Sequence, residues 1–91
     1  MISDIELSRA VNALSTTLHD QRPATFDVER MQSIVDGSLA GERKLHVRHL
    51  EGERGELVGE DGIVLASIDR SCGRWTARRE VGAQHSRPAV P

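Results

Sequence analysis

The sequence predicts an α+β domain of two layers: an N-terminal antiparallel helical hairpin packed on a C-terminal antiparallel β-meander of three to four strands, in the order ααββββ. Three observations carry that reading. Two helix-start signals stand at Ser3 and Asp27, the apolar period changes from about 3.6 to about 2 after Arg43, and Asp61-Gly62 separates two β-branched runs.

Ser3 followed by Glu6 matches a capping box, in which a hydroxyl and a carboxylate each satisfy a backbone N–H left free at a helix start. Ile2 and Leu7 flank it as a hydrophobic staple, so a helix starts at Asp4. At about 100° per residue, Leu7, Val11, Leu14 and Leu18 fall in one stripe beside Ala10, which carries the helix to about His19. Pro23 lacks an N–H and restricts Arg22, so the chain turns there. Asp27 then caps a second helix, with Phe26 and Met31 as its staple. Val28, Met31, Val35 and Leu39 share its stripe beside Ile34. Gly41 suits the residue after its end, and Gly37, on the polar side, offers an earlier stop.

Strands follow near 44–50, 56–60, 63–69 and 74–81, marked by Val47, Val58, Ile63, Val64, Ile68 and Val81. Asp61-Gly62 reads as a two-residue type I′ hairpin, since both central positions of that turn need positive φ. The segments 52–55 and 71–73 supply the other turns. Residues 82–91 contain Pro88 and Pro91 without periodicity and read as a disordered tail, leaving one domain over 1–81.

A chain of 91 residues leaves room for one domain, and its 22 Leu, Ile, Val and Phe residues exceed the level below which chains stay disordered. It therefore folds around a thin core. Twelve basic against fourteen acidic residues give a net charge of -2, which disfavours general phosphate-backbone binding. The distribution is uneven. Residues 51–69 carry six acids against Arg54, and residues 70–91 carry five arginines against Glu80, so opposite charges are expected to face each other across neighbouring strands. A single cysteine, Cys72, excludes an internal disulfide and a CxxC site and fits a reducing cytoplasm. The first residues lack the basic and apolar regions of a signal peptide, and no apolar run is long enough to span a membrane. Eleven of the twelve basic residues are arginine, a codon-level bias pointing to a GC-rich bacterial or phage source.

Chemistry is sparse. His46 and His49 are three apart on a strand and point to opposite faces, so they do not share a metal. Cys72 sits in a turn with no base beside it in sequence, and the acids between Glu51 and Asp61 stand among glycines, where solvated turns form. No glycine pattern matches a phosphate loop. The sequence predicts no catalytic residue, no metal and no cofactor.

Partner binding is the expected activity. With Asp61-Gly62 as the turn, Glu60 pairs with Ile63, Gly59 with Val64, Val58 with Leu65 and Leu57 with Ala66. One face then receives Val58, Ile63 and Leu65, and the other receives Leu57, Val64, Ala66 and Ile68. A helical hairpin covers only one of these, so the other is expected to be covered by the tail, by a second copy of the chain or by a partner. The candidate partner-binding residues are Val58, Ile63, Leu65, Trp75, Arg74, Arg78 and Arg79. The expected function is a small non-enzymatic regulator, inhibitor or adaptor that binds protein through a sheet face, as a homodimer. The alternative is a nucleic-acid-binding module that uses the Arg-rich strand from Arg70 to Arg79, where Trp75 alternates with basic residues.

Overall fold

The computed structural model describes residues 2–80; the expected strand end at Val81 and the expected tail over 82–91 lie outside the described residues. The fold is α+β, with helices α1 (Asp4–Gln21) and α2 (Val28–Ser38) ahead of strands β1 (Leu45–His49), β2 (Arg54–Gly59), β3 (Val64–Ser71) and β4 (Arg74–Arg79). The strands form one antiparallel meander in the order β1-β2-β3-β4. The helices contact each other, with α1 over β4 and α2 over β1, so together they roof one face of the sheet.

Local signals place both helices. Ser3 and Glu6 form the reciprocal capping box, and the Asp27 side chain accepts from the Arg30 N–H. Leu7, Ala10, Val11, Leu14 and Leu18 are buried along α1, as are Met31, Val35 and Leu39 along α2. Val28 departs from its expected place: it is the first residue of the helix and is exposed. The helix runs through Gly37 to Ser38, and the chain then reverses through Ala40 and Gly41, both at positive φ.

Glu6 also ties α1 to the segment before β1. The Lys44 Nζ donates to its carboxylate at 2.6 Å. That bond, with the one from the Ser3 backbone N–H, holds the Glu6 carboxyl down from 4.5 to about 2, and the same pairing raises the Lys44 ammonium. A depressed carboxylate stabilises the fold above its ordinary range, and this contribution is lost as pH falls toward the folded value. The urea midpoint of the wild type is therefore expected to fall more steeply between about pH 5 and about pH 2 than that of Glu6→Gln. Parallel pH profiles for the two proteins would remove Glu6 from the acid sensitivity.

The β2–β3 hairpin corrects the expected turn. Gly62 donates to the Gly59 carbonyl at 3.0 Å and stands at φ +85°, whereas Asp61 is not among the residues at positive φ. The loop is thus the three residues Glu60, Asp61 and Gly62, a type I turn closed by a left-handed glycine, and it spares Asp61 the strain of a type I′ turn. The Asp61 carboxylate accepts the Ile63 N–H at 3.1 Å. The type I′ geometry appears instead at Cys72-Gly73, both at positive φ between the paired Ser71 and Arg74.

One extra loop residue is absorbed by a β-bulge. Val58 pairs with Val64 while Leu57 keeps its expected partner Ala66, so Leu65 is the additional residue. The faces of Val64 and Leu65 are thereby exchanged relative to expectation. Leu65 packs against the core with Leu57, Ala66 and Ile68 below the helices, and Val64 joins Val58 on the open face. The second apolar face expected from the sequence shrinks to those two valines, of which Val58 is buried, and the exposed Leu50. Alternation along the strands fills the rest of it with His46, Arg48, Arg54, Glu56, Ser67, Asp69, Arg74, Thr76 and Arg78.

Both outer edges of the sheet are met by a helix side chain. Gln32 of α2 donates to the Leu45 carbonyl and accepts the Val47 N–H, each at 2.8 Å, as a neighbouring strand would. At the opposite edge the Ser15 hydroxyl of α1 donates to the Ala77 carbonyl at 3.1 Å.

Candidate functional site

The seven candidate residues do not form one surface. The structure divides them among a buried corner, the open sheet face and a groove.

Trp75 belongs to the corner. It is 5% exposed, and its indole N–H donates to the Pro23 carbonyl at 2.8 Å. Arg70 lies over its ring at 5.9 Å and reaches the Ala24 carbonyl at 2.9 Å and the Glu53 carboxylate at 2.6 Å. Together these two side chains pin the interhelical loop to the sheet. Phe26 completes the corner, stacked on His49 at 4.7 Å between ring centroids and tilted toward Trp75 at 6.1 Å. Its ring rests on Gly55, where a Cβ would come within 2.2 Å of it. His49 is therefore a packing residue whose Nε2 meets the Gly52 carbonyl, while His46 is exposed on the far face.

Val58, Arg74 and Arg78 lie on the open face. Arg74 and Arg78 flank Thr76 on β4, Thr76 pairs with Asp69, and Asp69 pairs on its other side with Arg54 of β2. Three exposed guanidiniums thus stand around one carboxylate. The side chains of Arg54, Arg74 and Arg78 have no hydrogen-bond or ion-pair partner among the described residues. The expected pairing of the acidic and basic segments is only partly realised: Glu53 meets Arg70, but Glu56 pairs with Arg48 of β1, and Arg79 pairs with Asp4 of α1. Arg54 was not among the candidates. Its place beside Arg74 and Arg78 depends on two strand registers, and period-2 alternation with Glu56 and Val58 is the only local sign of its face.

Ile63, Leu65 and Arg79 line a groove between the first turn of α1 and the β2–β3 hairpin. Ile2 and Leu7 complete its apolar wall, and its volume is about 590 Å³. Arg79 closes one end, bonded to the Ser8 hydroxyl at 3.2 Å and paired with Asp4. Asp61 stands at the mouth, and Ile63 is 53% exposed.

Among the described residues, no polar or charged side chain is fully buried, no group of three His, Cys, Asp or Glu could hold a metal, and no helix is long and apolar enough to cross a membrane. Comparisons with protein-family models, curated proteins and solved structures found no match to this chain.

Proposed function

We propose that this protein is a non-enzymatic binding module that docks an acidic protein surface on the open face of its sheet. The observation that carries this reading is the set of unpartnered guanidiniums, Arg54, Arg74 and Arg78, on the one face the helices leave bare. A partner's carboxylates would form charge-assisted hydrogen bonds to these guanidiniums. Leu50, 40% exposed, and the half-buried Val64 add a small apolar patch beside Arg54. The exposed free thiol of Cys72 suits a reducing, cytoplasmic setting.

Phosphates would satisfy the same arginines, but single-strand binders also present aromatic rings for bases, and here Trp75 is buried beneath the interhelical loop. Two probes separate the readings at about 150 mM salt: a Glu- and Asp-rich peptide containing leucine, and a DNA duplex. The peptide is expected to bind, and the triple variant Arg54→Ser, Arg74→Ser, Arg78→Ser is expected to abolish that binding. Duplex binding that weakens steeply with salt, with a shallower slope in the triple variant, would transfer the function to nucleic acid. Binding of neither probe, or peptide binding indifferent to the three arginines, would overturn the proposal.

A further inference from the structure

We propose that the groove between the start of α1 and the β2–β3 hairpin is a second, separate docking site, which takes a protein segment presenting branched aliphatic side chains beside a lysine or arginine. The backbone itself points to this. Two irregularities fall within four residues, the left-handed Gly62 and the bulge at Leu65, and bulges commonly re-aim side chains at binding surfaces. A regular two-residue hairpin would have turned Leu65 away from the helices and Val64 toward them. The irregular one sends Leu65 inward beside Leu7 and Ile2 and leaves Ile63 on the rim, 53% exposed. Ile5, on the same first turns of α1, is 71% exposed. The volume of about 590 Å³ lies within the range of ligand-binding clefts.

Charge selects the occupant. Among the described residues, Arg79 is the one cationic side chain in the groove lining, and it is held by Asp4 and Ser8. Asp61 keeps its carboxylate at the mouth with only the Ile63 backbone N–H as partner. An aliphatic segment with an adjacent basic side chain matches both the apolar wall and this negative rim. The chemistry is opposite to that proposed for the open face, so either reading can fail without the other.

The probe is a synthetic peptide alternating lysine with leucine and isoleucine, compared with the same peptide carrying glutamate for lysine, and followed by methyl NMR shifts of the wild-type chain. The lysine peptide is expected to move the Leu7, Ile63 and Leu65 methyls and to bind about tenfold more tightly than its glutamate counterpart, a difference of about 1.4 kcal/mol. Ile63→Ser, at an exposed position, is expected to weaken binding about tenfold. Asp61→Asn keeps the oxygen that accepts from Ile63 and removes the charge, so it is expected to erase the preference for lysine. Equal affinity for both peptides, shifts confined to the open face, or no shifts at all would overturn the proposal. Concentration-dependent shifts of the same methyls without peptide would do so as well, assigning the groove to a second copy of the chain.

Discussion

Trp75→Ala is expected to lower the stability of the fold by about 3–5 kcal/mol, the usual cost of emptying a buried aromatic site. The ring is 5% exposed and fills the corner under Pro23, Phe26 and Arg70. Removing it leaves a void, strips the Pro23 carbonyl of its donor and takes away the platform under the Arg70 guanidinium. Small domains hold only about 5–15 kcal/mol in total, so the variant should melt far below the wild type. Because Trp75 is the only tryptophan in the chain, urea unfolding should be followed by far-ultraviolet circular dichroism. Trp75→Phe keeps most of the ring and loses the N–H, so its loss should be nearer the cost of one unmade hydrogen bond, about 1–3 kcal/mol. Were Trp75→Ala to lose less than about 1 kcal/mol, a value typical of ordinary point mutations, the corner would not be what fastens the helical hairpin to the sheet.

Gly55→Ala carries the next largest expected loss, about 2–3 kcal/mol, in the range of overpacked sites. Its Cβ would lie 2.2 and 2.5 Å from two atoms of the Phe26 ring and 2.8 Å from the Arg48 carbonyl oxygen. The ring could swing aside only by giving up its stacking on His49. The carbonyl belongs to the neighbouring strand and has no such freedom. Replacing glycine usually gains about 0.4–1 kcal/mol by restricting the unfolded chain, which is too little to offset two clashes. The double variant Gly55→Ala, Phe26→Leu should recover the part of the loss that comes from the ring. A Gly55→Ala protein as stable as the wild type in urea would show that Phe26 does not pack on β2.

What was legible in the sequence was local. Ser3 with Glu6, Asp27, and the stripes from Leu7 to Leu18 and Met31 to Leu39 act within one or two helical turns, so both helices could be read directly. Asp61-Gly62 was ambiguous for a physical reason: the pair suits the two centre positions of a type I′ turn and equally the last two residues of a type I turn. That single residue of loop length decided which of Val64 and Leu65 reached the core. It also split the candidate residues, since Val58 and Leu65 were expected on one face and lie on opposite ones. The meeting of Arg54 with Arg74 and Arg78, and of Trp75 with Pro23, joins segments far apart in the chain, and no periodicity encodes it.

The hydrogen bonds from Gln32 to β1 and from Ser15 to β4 bear on how far the edges of the sheet are open to a further strand. An open sheet offers rows of unpaired amides at both rims, where a foreign strand can add and further strands can follow. Here a side chain borne on a helix meets one carbonyl of β4 and one carbonyl and one N–H of β1, contacts that last only while that helix stays docked. Loosening of the helical layer would bare both rims and the underside of the sheet in the same event. The interhelical loop held by Trp75 and Arg70 thus keeps the helical layer over the strand edges as well as over the core.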